Sequence, residues 1–166
     1  GTSALNITSK STSQFTGNAA QDNLLDDVTA ASVGTFSVTT SGSTSTTNGA
    51  SALTIDVVTA TQASTVNLTV GTNDDLALDV INATGDAVEN STLTVGLDAI
   101  LDVDTLNYDA STLDAMTLTV SDGGFVANSG ANTSVATTEY VDLTAASIAD
   151  LNIDLGSGAQ ATLDLS

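Results

Sequence analysis

A repeat with a period of 25 residues is the feature that most constrains the fold of this chain. Residues 68–70, 93–95 and 118–120 all read Leu-Thr-Val. Periods of about 20 to 50 residues are typical of stacked repeat proteins, in which each unit buries its apolar residues against its neighbours. We therefore predict that the three valines form one column in the core and that the three leucines form a second.

The period lengthens at two places. The next equivalent of Val120 is Leu155, which follows 35 residues later, and the extra residues coincide with a polar insertion at 128–138. A similar insertion at 41–51 separates the first two units. Because insertions in stacked repeats map to loops, we expect both segments to lie outside the stacked strands.

Within the units, apolar residues alternate with Thr or Asp. Residues 53–57, 76–80 and 101–104 show this period of two, which is typical of strands with one buried face. A core with 3% aromatic residues also suits thin aliphatic layers better than a globule. We predict an all-β fold, a β-solenoid of stacked parallel strands with rungs of ~25 residues. A β-sandwich is the alternative, and a helix is considered only at 18–28.

The chain divides into an N-terminal strand with a polar arm, 1–23, and a repeat-built β domain, 24–166. Strand-like segments at 4–8 and 161–165 carry no Pro, Lys or helix that would cover an open edge. Open β-edges attract further strands. The expected partner is another copy of the chain, giving a homo-polymer with the N-terminal strand as donor. The alternative partner is the next domain of a longer protein.

The net charge of −19, from 20 acidic residues against one base, restricts the partners. Such a surface repels nucleic acid and anionic membranes. No apolar stretch is long enough for membrane insertion. Eighteen of the acids are Asp, which favours turns and binds Ca²⁺. We expect divalent cations or salt to offset the repulsion.

Calcium is therefore the expected cofactor. Residues 71–76, Gly-Thr-Asn-Asp-Asp-Leu, are similar to half of a GGxGxDxUx calcium repeat. Asp26 and Asp27 form a further acidic pair. Solvated turn residues are the alternative interpretation of any single aspartate. The predicted metal ligands are Asp74, Asp75, Asp98, Asp102, Asp104 and Asp122.

The sequence predicts no catalytic activity. It contains no His, no Cys and a single base, Lys10, so it lacks the usual general bases and anion-stabilising groups. A different function is suggested by the Thr-x-Thr pairs at 92–94 and 117–119, which follow Asn-x-Thr at 67–69 in the repeat. Outward Thr pairs in register are typical of β-solenoid ice-binding proteins, although ordinary strand threonines are the simpler interpretation.

Two segments carry a family resemblance. Residues 106–120, beginning Leu-Asn-Tyr-Asp-Ala-Ser-Thr-Leu, and residues 141–154, beginning Val-Asp-Leu-Thr-Ala-Ala-Ser, resemble repeats of bacterial surface-layer (S-layer) proteins of the RTX-associated type. The resemblance implies an extracellular structural protein at the cell surface. Its subunits would self-assemble into a layer or filament, with Ca²⁺ between them. The alternatives are a cell-surface adhesin, with a cell-surface glycan as partner, and an ice-binding module.

Overall fold

The computed structural model describes residues 3–9, 23–42, 52–83, 88–108, 112–127 and 141–165. Within these ranges the chain forms strands and no helix, and every strand pair is parallel. This confirms the predicted all-β fold of stacked parallel strands. It excludes the sandwich, which is built from antiparallel sheets. No helix suited to crossing a membrane occurs in these ranges.

The first eight strands of the described ranges alternate between two sheets. In chain order they are β1 (Ala4–Ser9), β2 (Asn23–Thr29), β3 (Thr35–Thr40), β4 (Ala52–Thr59), β5 (Thr65–Val70), β6 (Asp75–Asn82), β7 (Asn90–Val95), β8 (Ile100–Asn107), β9 (Thr112–Leu113), β10 (Ala115–Val120), β11 (Phe125–Ala127), β12 (Val141–Thr144), β13 (Ser147–Ile148), β14 (Leu151–Leu155), β15 (Gln160–Ala161) and β16 (Leu163–Leu165).

The order of the strands shows how the chain winds. The first sheet has the order β1-β3-β5-β7-β10-β14, and the second has the order β15-β11-β8-β6-β4-β2. In the second sheet β12 also pairs with β8 and with β16, while β9 and β13 form a short third sheet. Each circuit therefore adds one strand to each main sheet. We call one circuit a rung.

The strand register confirms the predicted repeat. Val95 pairs with Val70 on one side and with Val120 on the other, and the three leucines two residues earlier pair in the same way. Val120 in turn pairs with Leu155, which confirms the 35-residue step. Most of the two insertions, 43–51 and 128–138, lies outside the described residues.

Two segments near the start of the chain complete the sheets. β1 pairs with β3 along all six residues, so the N-terminal strand belongs to the same sheet as the repeats. Residues 23–28, part of the segment considered for a helix, lie in β2, which pairs with β4. The helix interpretation is therefore wrong for this part. Strand pairing with β4 outweighs the weak helical preference of a short segment.

The core lies between the sheets and is made of inward side chains in columns. On β3, β5 and β10, buried residues alternate strictly with half-buried ones. Phe36, Leu68 and Leu118 are among the fully buried residues. Each inward residue contacts the equivalent residues of the rungs on either side, because paired strands lie only about 4.8 Å apart.

Tyr108 fills the corner that follows β8. The equivalent corner of the preceding rung holds Ala83, so the ring needs extra space. Ser91 supplies it, since it is the small member of a core column whose neighbours are Val66 and Met116. The two buried hydroxyl groups form a hydrogen bond of 3.0 Å. Burial raises the pKa of Tyr108 to about 12, with a smaller opposing effect from this hydrogen bond.

Replacing Leu93 by Ala tests the column directly. Leu93 is buried between Leu68 and Leu118, so the substitution leaves a cavity with limited scope for collapse. We expect a loss of about 2–5 kcal/mol in the free energy of unfolding, measured by urea titration. The control is Thr92→Ala, at the outward neighbour, with an expected change within about 0.5 kcal/mol. Equal losses for both variants would contradict the column.

Candidate functional site

Four stacked turns connect the first sheet to the second. They span 71–74, 96–99, 121–124 and 156–159, and in each the fourth N–H donates to the first carbonyl at 3.0 to 3.3 Å. The third residue of each turn has a positive φ, which only Gly, Asn and Asp adopt readily. These residues are Asn73 (56°), Asp98 (49°), Gly123 (67°) and Gly158 (71°).

The turns are also bonded to one another. The N–H of Asp98 donates to the carbonyl of Asp122 at 3.1 Å, and the Oδ1 of Asp122 accepts from the N–H of Ser157 at 2.7 Å. The Asp98 carboxylate lies over Gly123, where any Cβ would collide with it. Backbone conformation and turn stacking therefore account for an aspartate at both of these predicted metal-ligand positions.

Asp74 closes the first of these turns and Asp75 begins β6, and both are more deeply buried than the other predicted ligands. The side chain of Asp74 is completely buried. Its Oδ2 accepts from the N–H of Gly42 at 2.7 Å, whereas its Oδ1 has no hydrogen-bond partner in the described part of the chain. Asp75 is buried as well. A buried carboxylate oxygen with no donor is costly, and a cation would relieve that cost.

The remaining predicted ligands, Asp102 and Asp104, lie on the outer face of β8, Asp102 half-buried and Asp104 exposed. The structure thus brings together Asp98 with Asp122, in adjacent turns, and the consecutive residues Asp74 and Asp75, whereas Asp102 and Asp104 lie on the outer face of the second sheet. In the described ranges no group of three acidic, His or Cys side chains is arranged to hold a metal ion.

An acidic ladder on the second sheet was not predicted. The residues that flank its aspartates are paired in register: in β2 and β4, Leu25 pairs with Ile55 and Asp27 pairs with Val57. The same register continues from β4 to β6 and from β6 to β8. Four aspartates therefore lie opposite one another at the rung spacing of about 4.8 Å. They are Asp26, Asp56, Asp79 and Asp104.

The ladder coincides with a change of phase in the burial pattern of its strands. In β6, Leu78 and Ile81 are both buried, while the two residues between them, Asp79 and Val80, are not. The alternation therefore changes phase at Asp79, which a strictly extended strand would not allow. In the sequence, each of these rungs has an apolar residue followed directly by Asp. The alternation of apolar and polar residues alone does not distinguish these aspartates from other outward residues.

Like charges at this spacing perturb one another. The pKa of Asp56 is raised above its ordinary value of 3.8, first by partial desolvation and then by the charges of Asp79 and Asp26. Asp26 also forms a side-chain hydrogen bond to Asp56, and Asp27 adds a smaller repulsion. Asp56 therefore retains a proton more readily than an isolated aspartate does.

The rung that contains β14 exposes its apolar residues. Leu151, Ile153 and Leu155 are 39%, 46% and 45% exposed, whereas the equivalent residues of β10 are at most 1% exposed. Nearby, a pocket of about 260 Å³ is lined by Leu143, Ala145, Ile148 and Leu165. We call this surface the β14 end face. It is the interior of the solenoid, open on one side.

The chain matches no protein-family model, no curated protein and no solved structure. The geometry of these sites is therefore the basis for any functional conclusion.

Replacing Asp56 by Asn tests the acidic ladder. The variant removes one charge between two others, so we expect a higher melting temperature at neutral pH than the native protein has. A raised pKa in the folded state means that the native protein gains stability as the pH falls toward 3.8, because folding then takes up protons. The difference between variant and native protein should therefore shrink on acidification.

The control for this comparison is Asp150→Asn, at an exposed position outside the ladder. Calorimetry across the pH range compares both variants with the native protein. An equal rise in melting temperature for both variants, or a difference for Asp56→Asn that does not change with pH, would contradict coupling within the ladder.

Proposed function

We propose that this chain is a non-enzymatic structural subunit that polymerises end to end at an extracellular cell surface, as a layer or filament. The observation that carries the proposal is the β14 end face. It exposes the ends of three core columns of the first sheet, and the column that ends at Ile153 is apolar on every rung. Four of the six exposed large apolar residues of the described chain lie there, on β14 and β16.

The opposite end of the first sheet fits this face. In the described residues β1 pairs only with β3, and β14 only with β10, so each strand has one free edge. Leu5 and Ile7 of β1 stand in the same columns as Leu151 and Ile153. Because all strands are parallel, a second copy stacked on the β14 end face continues both columns in register.

This contact is heterologous, so its repetition produces an open filament rather than a closed dimer. β1 already pairs along its whole length within its own chain, which supports stacking of edges over donation of the strand. Sideways association of such filaments would produce a layer.

The free energy gained from the apolar contact is too small to drive assembly by itself under all conditions. Burying three large aliphatic side chains contributes roughly 1.5–3 kcal/mol each. Loss of translational and rotational freedom costs about 4–15 kcal/mol, and the net charge of −19 adds repulsion between copies. Backbone hydrogen bonds along the new strand pair supply part of the difference. Cations that reduce the repulsion supply the rest.

Calcium at Asp74 is the cation proposed here. The site needs a ligand for the buried Oδ1, and Ca²⁺ accepts carboxylate and backbone carbonyl oxygens together. Asp75, also buried, is the neighbouring carboxylate. Asp74 is the first residue to test, because the N–H of Gly42 already holds its Oδ2 in place.

Replacing Ile153 by Asp tests the assembly. The residue is exposed in the isolated subunit, so the variant should fold normally but remain monomeric where the native protein polymerises. The matched control is Asn152→Asp, which adds the same charge to the same strand on its outward face. Sedimentation velocity and electron microscopy in the presence of Ca²⁺ measure both. The idea fails if the native protein stays monomeric at high concentration, or if both variants polymerise equally.

Replacing Asp74 by Asn tests the cation site. Asparagine keeps an oxygen for the N–H of Gly42 but lacks the charge that would attract Ca²⁺. We expect Ca²⁺ to raise the melting temperature of the native protein and of the control Asp122→Asn, and not that of Asp74→Asn. Sodium chloride at matched ionic strength separates binding from screening. If the salt alone gives the same rise, or if all three proteins respond alike, Asp74 is not a calcium ligand.

A further inference from the structure

The outward face of the first sheet carries a continuous column of threonines. The sequence indicated Thr pairs on two rungs, and the register extends one column to five rungs without a break. The members of this column are Thr8, Thr39, Thr69, Thr94 and Thr119. A parallel column, two residues earlier on each strand, is made of Asn6, Ser37, Asn67, Thr92 and Thr117.

This surface, which we call the Thr face, is uncharged in a protein with a net charge of −19. Its fifteen outward residues on β1, β3, β5, β7 and β10 include nine threonines and no acid or base. The first charged residue along the main column is Asp154, on β14, which pairs with Thr119. The third column, which completes the face, contains Ala4, Thr35, Thr65, Asn90 and Ala115.

The hydroxyl groups of the Thr face are held in a regular array. Outward threonines on β3, β5 and β10 are half-buried between neighbours, and a β-branched side chain has few χ1 states. In the adjacent column the Nδ2 of Asn67 donates to the Oγ of Ser37 across the rungs, at 3.4 Å. Successive hydroxyls in one column are thus separated by the rung spacing of about 4.8 Å.

This spacing is close to one that tetrahedral water requires. Hydrogen-bonded oxygens lie about 2.75 Å apart, so two oxygens bonded to the same water at about 109° are about 4.5 Å apart. The hydroxyls of the threonine column therefore nearly match the second-neighbour spacing of an ordered water lattice. The methyl groups between them exclude water that would not fit the same lattice.

We infer that the Thr face binds the surface of ice. Other partners fit the face less well. It has no aromatic side chain on which a sugar ring could stack and no base for a phosphate. It also lacks the large apolar residues that form the core of protein interfaces. An extended lattice of water needs only a regular, uncharged array of hydroxyl and methyl groups, which this face provides.

Ice binding does not depend on polymerisation. The five threonine rungs belong to one subunit, and Asp154 would interrupt the column wherever two copies meet end to end. The monomeric variant Ile153→Asp should therefore still bind ice. Failure of ice binding and failure of assembly are thus separate results.

Partition of the full chain between a growing ice hemisphere and the liquid tests this inference, with an inert carrier protein as reference. We expect enrichment of the native protein in the ice. Thr94→Lys places a charge at an interior rung of the column and should abolish most of that enrichment. The matched control is Thr54→Lys, which adds the same charge at a half-buried threonine of the second sheet and should leave partition unchanged.

Circular dichroism checks that both lysine variants are folded. If Thr94→Lys does not fold, Thr94→Val removes the hydroxyl, keeps the branched shape, and should reduce partition partly. Exclusion of the native protein from ice, like the carrier, would overturn the inference. So would equal partition of the two lysine variants, no loss for Thr94→Val, or retention on insoluble cellulose or chitin without partition into ice.

Discussion

Parallel pairing of each strand with the equivalent strand of the next rung is the interaction on which the rest of the structure depends. The pairs in the first sheet run residue for residue from β1 to β14. Each residue is thereby placed about 4.8 Å from the equivalent residues of the neighbouring rungs. A residue type that recurs at one position of the repeat therefore forms a column along the molecule. Apolar residues then form core columns, threonines form an outward column, and aspartates form a ladder.

This repetition has opposite consequences for different side chains. Stacked leucines and valines gain contacts on both sides, which allows a thin core without large aromatic layers. Stacked aspartates repel, and the pKa of Asp56 is raised first by partial desolvation and then by the charges of its neighbours. The ladder is tolerated because it lies on the outer face, where water and ions reach it. Buried carboxylates such as Asp74 have no such relief, which is why a cation is proposed there and not on the ladder.

The core could be predicted from the sequence because it depends on spacing. The Leu-Thr-Val segments fixed the 25-residue register, and Leu155 marked the 35-residue step. The acidic ladder was missed because Asp26, Asp56, Asp79 and Asp104 are separated by 30, 23 and 25 residues. Unequal turn and loop lengths hide such a column until the strands are paired.

Local sequence patterns predicted the structure less well where pairing with a distant strand determines the conformation. Residues 23–29 form a strand because β4 offers an open edge, a partner that no local pattern reveals. The sequence does not distinguish Tyr108 from other corner residues, because the space for its ring depends on Ser91, which belongs to a different strand. The predicted calcium ligands were aspartates of the 71–76 segment and of the rung ends. Asp98 and Asp122 are indeed in turns, where the backbone itself accounts for them.

The claim that copies stack rung upon rung is tested most directly by X-ray fibre diffraction from aligned assemblies grown with Ca²⁺. Stacking through the β14 end face places every strand across the filament. We therefore expect a reflection near 4.8 Å along the filament axis. A 4.8 Å reflection perpendicular to that axis would mean that the subunits associate through their sides, and would rule out stacking through the β14 end face.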